Sequence, residues 1–559
     1  MGIGACIDCL RGKQALDLAR AEGDRLKAEL RKAQEQLAEV VKLNELQKAE
    51  IQRLKLTLHQ RPEPNEPERV PKNVLQMVFE QLLTDAGKAV DKKALEEAAN
   101  DDGATPETKP DENKRSRRGK TRPSLKGLPV VEVRETPPEV KACGGEGWQL
   151  VDEEVSERLA YQRAQFYTVR VIREKWVKLS PKGLWLPNHF VTAPYPDWML
   201  PRLLADPSVV APIIVNKCNF MLPWHRQEQM FGLQGHAIAR STMSDWTEAA
   251  YKLVAPIVVA MHQEGIDESY CIATDATGAP VRISGGQAHW HVFVFISDVG
   301  HITFKAGRRH SRETIRKMLE GFEGHLLSDA SSIYNILYTL GVVAVACWAH
   351  ARRYFWKARL TEPTLAHEAL ALIKAIFAIV RKAKSMPLEQ RTAYRQEYAT
   401  PIVEALDAWV VEAKTKADKG GRLQSALTYY TNQREALGRF LTDGRLEADN
   451  NGSERQARQI VKGRDNWQHF ETPNGLEWYT TFLSLTSSCK LAGINPYEYL
   501  EQVLRLARHW PKGDMLALSP KYWKETVAGL DPRQRQIIEP PWLPGDGRAA
   551  RDGPKVGAA

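Results

Sequence analysis

Long apolar runs are missing from this chain. None reaches the roughly 18–20 residues that a bilayer core demands, so a membrane-spanning protein is not expected. Cysteine is scarce. There are seven in 559 residues, scattered rather than grouped, which excludes a disulfide framework and suggests a reducing cytosol. The opening MGIGACIDCL is too short and too weakly basic for a secretory signal. Cys6 stands where a myristoylated chain carries Ser or Thr. No sign of charge is in large excess either. Lys and Arg total 78 against 69 acidic residues, a net +9. That is compatible with a polyanionic partner, but too little to name one.

What is present reads as several domains, since 559 residues exceed one core. Residues 1–65 carry a heptad seam. Position a holds Leu30, Leu37, Asn44, Ile51 and Leu58, and position d holds Leu26, Ala33, Val40, Gln47 and Leu54. The repeat predicts a coiled coil, and a buried Asn44 favours a parallel homodimer, with a higher oligomer also open. The competing reading is a helix packed on its own body. Residues 66–127 hold a helix and then a linker nearly devoid of apolar side chains, expected to be disordered. Its basic run, Lys114, Arg115, Arg117 and Arg118, suits DNA phosphates or a solvated tether equally. Residues 128–190 alternate apolar and polar side chains, as in FYTVRVIREKWVKL (166–179), and predict a small β-rich module.

Residues 191–265 turn helical. Within them WHRQEQMFGLQGHAIARSTMSDW (224–246) has the form of a helix, a turn near Gly235 and a second helix opening at Ser241. A helix-turn-helix would put Arg240, Ser241, Thr242 and Ser244 near DNA. A plain helical hairpin fits the same pattern.

From residue 266 the pattern sharpens. SYCIATDATG (269–278) reads as a strand ending in Asp275, followed by strands over 288–300 and 301–307. A helix over 311–322, a strand over 324–329 ending in Asp329, a helix over 331–340 and a strand over 342–350 come next. Three meander-like strands followed by strands alternating with helices is the order of a ribonuclease-H-like core. Its first part spans 266–360. Residues 361–445 read as an all-helical insertion, 446–510 as the second part of the core, and 511–559 as a C-terminal tail. The fold class is therefore multidomain α/β.

In such a core Asp275 and Asp329 end adjacent strands. Two carboxylates that close resist joint ionisation unless cations neutralise them, and hard oxygen ligands select magnesium. Two such ions suit an in-line displacement at phosphorus. A third carboxylate, Glu454, falls in the first turn of a helix opened by Asp449, Asn450 and Asn451, with Arg455 beside it and Arg458 on its face. Taken singly, each residue has a blander reading: an Asp capping a loop, or a surface ion pair worth little.

Together the motifs ATDATG (273–278), LLSDASSIYN (326–335), CWAHARRYF (347–355), DNNGSER (449–455) and GRDNW (463–467) resemble those of the insertion-sequence-66 family of bacterial DDE transposases. The likeness extends from the N-terminal coiled coil to KLAGINPYEYLEQVL (490–504). It implies that Asp275, Asp329 and Glu454 are catalytic and hold two Mg2+ per active site, with Mn2+ as a substitute. It implies DNA partners, namely transposon terminal inverted repeats and target DNA, small accessory proteins of the same element, and action at the nucleoid in the bacterial cytoplasm. Arg455, Arg458, Arg464 and Trp467 become candidate DNA contacts. Cys347 and His350 match a family Cys-x-x-His pair; with Asn450 they are read as structural residues near the site. The family's zinc-binding module is degenerate here, since Cys143 stands alone and REKWVKLSPKG (173–183) replaces a cysteine pair, which puts zinc in doubt. Two further readings remain: a catalytically silent DNA-binding derivative, and a metal-dependent nuclease of the same fold.

Overall fold

The computed structural model describes residues 4–59, 69–85, 91–100, 166, 168–179, 181–182, 185–198 and 205–540. The basic run at 114–118, Cys143 and the last 19 residues of the tail (541–559) lie outside them. The chain divides into two compact units. One takes Met1–Thr105 and His350–Asn432, the other Pro106–Ala349 and Gln433–Ala559.

The second unit is built on a mixed five-stranded sheet. Its strands, counted after a hairpin β1 (Lys175–Leu179) and β2 (Trp185–Thr192), are β3 (Cys271–Ile283), β4 (Gly286–Ser297), β5 (His301–Gly307), β6 (His325–Ser328) and β7 (Val343–Ala346). The order is β5-β4-β3-β6-β7. β3, β4 and β5 form an antiparallel meander, and β6 and β7 run parallel to β3. Between β3 and β4 the chain reverses at Ser284 and Gly285, where Gly285 takes a φ of +84° that suits glycine in a two-residue hairpin turn.

Alternation along the strands sends side chains to two cores. Val281, Val292, Val294, Ile302 and Phe304 pack with the long helices Arg240–Glu268, Pro473–Leu491 and Pro496–Leu506. Ile272, Phe293 and Phe295 pack on the other face with Ile315, Leu319, Phe322 and Leu337. The outer edge of β5 is covered. Ser484 and Ser488 of helix Pro473–Leu491 accept the N–H groups of Phe304 and Ile302 at 2.8 and 3.0 Å, which satisfies ladder groups that an open edge would expose.

Several expected boundaries move. The strand expected to end at Asp275 runs on to Ile283, because residues 276–283 find partners along the whole of β4. The strand expected over 342–350 stops at Ala346, and a helix begins at Trp348. The helix expected over 331–340 is a 3-10 turn, Ser332–Tyr334, and one short helix, Asn335–Tyr338. Residues 168–174 are not strand.

The first unit is helical. Helix Gly4–His59 is continuous over 56 residues, and Leu26, Leu30, Leu37 and Val40 of its heptad seam are exposed. Helix Pro363–Lys384 is apolar enough over 18 residues to cross a membrane by composition, although 67% of that stretch is buried. Its neighbours are Leu388–Lys416 and the short helices Lys72–Asp85 and Lys92–Asn100. Burial works to raise the Asp91 carboxyl, yet hydrogen bonds from Lys382 and Tyr394 outweigh it and hold the group below the usual carboxylate range.

Candidate active site

Strand register assembles the acids. Ala273 on β3 pairs with Leu327 on β6. Two residues further along each strand stand Asp275 and Asp329, on neighbouring chains about 4.8 Å apart. Ser328 pairs with Ala346 on β7, so one step on, Asp329 faces the level of Cys347. Asp275 thus sits mid-strand in β3, at the point where β6 stops pairing with it. Asp275 accepts the N–H of Ala276 at 2.8 Å. Asp329 accepts the N–H of Ser331 at 2.9 Å, across Ala330, whose φ of +62° turns the chain sharply away from β6. Backbone held in that region by a residue with a side chain is strained, and such strain gathers at functional sites.

The third acid arrives on helix Asn451–Trp467, which packs across β3 and β4. Asn450 is its N-cap residue, but its side chain does not cap the helix. Asp449 takes that role by accepting the N–H of Asn451 at 3.0 Å. Asn450 is 1% exposed and donates from Nδ2 to the carbonyl of Thr274 at 2.7 Å, next to Asp275. Its own N–H points to Cys347 Sγ at 3.1 Å, and Ser453 Oγ bonds its Oδ1. One turn along, a Glu454 carboxylate oxygen lies within 4.8 Å of Cys347 Sγ. The helix start is thereby tied to both β3 and the end of β7. Cys347 is fully buried. His350 opens the other unit, with Nε2 at 3.3 Å from Arg353 Nη1.

The remaining expected contacts separate into exposed and engaged. Arg455 and Arg458 are exposed on the glutamate helix. Arg464 is turned inward, where its guanidinium donates to the carbonyl of Gly278, so it braces the helix on β3. Trp467 packs edge-on against Phe470 and Tyr479. Arg240 pairs with Glu228 at 3.3 Å. Ser241 is exposed and Thr242 half-buried at the head of a helix that runs 29 residues and is buried from Met243 onward. Trp348 is core: its indole donates to the Leu437 carbonyl at 2.9 Å.

Sequence reading missed Tyr334 and a basic loop. Tyr334 is 1% exposed. Burial first, and then the charges of Asp329 and Asp275, push its phenol well above the usual value, so both aspartates act on one hydroxyl, which stays protonated. Its signal was its place in LLSDASSIYN. Arg308 and Arg309 are exposed after β5, and Arg312 donates to the carbonyl of Ser332 at 3.3 Å, just past Asp329. The run GRRHSR (307–312) was visible as a basic cluster.

Residues 202–478 match the model of the Transposase IS66 family. The chain belongs to that family. All three carboxylates lie inside the matched stretch, which is narrower than the motif resemblance running from the N-terminal helix to residue 504. Among relatives, the uncharacterized proteins y4hP, y4qI and y4jD of Sinorhizobium fredii are 25%, 27% and 26% identical to the chain. These matches cover 71%, 72% and 77% of this chain, and 75%, 76% and 88% of the relatives. Membership makes the chain a transposase-type protein, an enzyme acting on DNA.

Proposed function

We propose that this IS66-family chain is a DDE transposase that cleaves DNA at the terminal inverted repeats of its element and transfers the freed ends into target DNA. Asp275, Asp329 and Glu454 are its catalytic residues. The observation that carries the reading is the register of β3 and β6, which sets Asp275 beside Asp329. The Asn450 bond to Thr274 supports Glu454 as the third member. The strand order β5-β4-β3-β6-β7 supports a ribonuclease-H-like core.

Three carboxylates are hard oxygen donors, and they fit Mg2+, with Mn2+ as a substitute. When bound, such a pair of ions supplies an activated water or 3′-hydroxyl and neutralises charge on the transferred phosphoryl group. The chain's own residues do the rest. The carboxylates hold the ions, Asn450 fixes the helix that carries Glu454, and Arg455 and Arg458 take backbone phosphates. The exposed Leu26, Leu30, Leu37 and Val40 support pairing of helix Gly4–His59 as a coiled coil, which would bring two element ends together.

The test is a magnesium-dependent assay on DNA carrying the element's own ends. Wild type should cut and join, and Glu454→Gln should do neither while still binding the ends. Equal cutting by the variant would overturn the assignment. Cutting without joined products would favour a nuclease of the same fold.

A further inference from the structure

At the far end of the glutamate helix lies a cavity of about 710 Å³. Glu454 and Trp467 are 13 positions apart on that helix, roughly 20 Å at the α-helical rise. Arg455, Arg458 and Lys462 are exposed between them. The cavity has aromatic walls, among them Trp224, Trp467, Trp478 and Tyr479. Lys217, also on the wall, sets its Nζ 3.6 Å from the centre of the Trp467 ring and 5.6 Å from that of Trp224.

Trp467 is held in place. A Cβ added to Gly463 would come within 2.4 Å of its indole, so the ring lies flat on a bare stretch of helix. Just beyond it, Gln468 takes a φ of +63°. Tyr479 packs on the indole at 5.4 Å between centroids.

Four polar atoms on the wall are buried without a hydrogen-bond partner among the described residues: Trp224 Nε1, Trp467 Nε1, His469 Nδ1 and Tyr479 Oη. Tyr479 is 4% exposed. Buried polar groups left unmatched are rare and costly in folded proteins. Several on one aromatic wall call for a planar guest rich in acceptors. Aromatic faces offer such a guest stacking, and the indole N–H and phenol O–H groups offer hydrogen bonds to its edge.

We propose that this cavity binds a nucleobase extruded from the DNA strand that runs from the catalytic acids along Arg455, Arg458 and Lys462. The inference rests on the DNA-cleaving reading and adds to it a second point of grip, about 20 Å of helix from the reacting phosphate. The base stacks on Trp467 and its edge meets the unmatched donors. An unpaired base enters at less cost than a paired one, because no base pair has to be opened.

The test uses the full chain and two short labelled duplexes of one mixed sequence. In one duplex a single thymine faces an abasic position; the other is fully paired. Fluorescence anisotropy should show the unpaired-base duplex bound about tenfold more tightly, the scale of one base stacked on an aromatic platform. Trp467→Leu should bring the ratio of the two affinities to one. So should Gly463→Ala, which displaces the indole while leaving every cavity side chain in the sequence. Equal affinities in wild type, or a ratio that survives both variants, would overturn the base pocket while leaving DNA binding and cleavage standing. Loss of all DNA binding by wild type would instead remove the DNA reading beneath it.

Discussion

The two ends of the five-stranded sheet both collect polar groups, and they do so differently. Where β3 and β5 begin, each carboxylate has its counter-charge. Glu264 accepts Lys521 Nζ at 2.7 Å and is bonded by Tyr522 and His301. Burial acts to raise its carboxyl, but these partners hold it below the usual range. Asp443 accepts Tyr270 Oη at 2.8 Å and Arg445 at 2.6 Å, and Arg445 lies 3.4 Å over the Tyr270 ring. At the other end β3 and β6 bring acid beside acid, and the phenol between them is pushed up rather than ionised. The first arrangement neutralises itself and holds the fold. The second gathers negative charge that a cation can join.

That contrast can be broken by substitution. The largest effect is expected at the acid row. Asp275→Asn should lower magnesium-dependent cleavage by about a thousandfold or more, as when one member of a catalytic set is lost. It should also abolish the rise in melting temperature that Mg2+ gives the wild type, because a bound ion stabilises only a chain that binds it. A variant that melts and responds to Mg2+ like wild type would dissolve the distinction between the two ends.

At the opposite end Glu264→Ala should cost about 3 kcal/mol of stability, since it strands His301 and Lys521 beside a removed charge. Urea denaturation measures it. The folded fraction should cleave at the wild-type rate, and a large fall in that rate would place Glu264 in the catalytic machinery.

His262 lies between the ends, on helix Arg240–Glu268. Its Nε2 faces the Met318 carbonyl at 2.8 Å and its Nδ1 the Thr303 hydroxyl at 3.0 Å, an environment that suits the neutral ring protonated on Nε2. Burial, aided by the charge of Lys305, lowers its pKa to about 4. A group whose folded pKa is depressed loses its stabilising contribution as pH falls. Stability should therefore be full above about pH 6.5 and decline by about 3 kcal/mol toward pH 4. Unfolding midpoints against pH should show that slope flattened in His262→Gln. The smallest effect belongs to the surface. Arg455→Ala should leave stability unchanged and reduce the salt dependence of DNA binding by about one unit of slope.

The acids were legible because their motifs are local. ATDATG, LLSDASSIYN and DNNGSER each carry a carboxylate with its turn chemistry, and apolar alternation sets the strands that deliver two of them. Boundaries were less legible. β3 outlasts Asp275 because β4 supplies partners 19 positions away at that point, Asp275 opposite Val294, and no local signal reports a partner's length. The role of Arg464 was misjudged for a related reason. In sequence it looks like one more cation beside Arg455 and Arg458, but its partner is the backbone carbonyl of Gly278, which has no sequence signature. Asn450 suggested a helix cap, and its amide instead crosses to β3.

By itself, then, the sequence determined which residue types stand at the strand ends, which helix carries the third acid, and the alternation that makes a mixed sheet covered on both faces. Periodicity and turn chemistry act within a few residues, so they can be read in order along the chain. The tertiary structure alone decided that Lys72–Asp85 and Lys92–Asn100 dock on helices some 290 positions later, through Asp91 with Lys382 and Tyr394. It alone decided that Lys217 meets Trp467 across a cavity. Those choices depend on shape, burial and the matching of individual donors and acceptors between distant segments, and the order of residues does not display them.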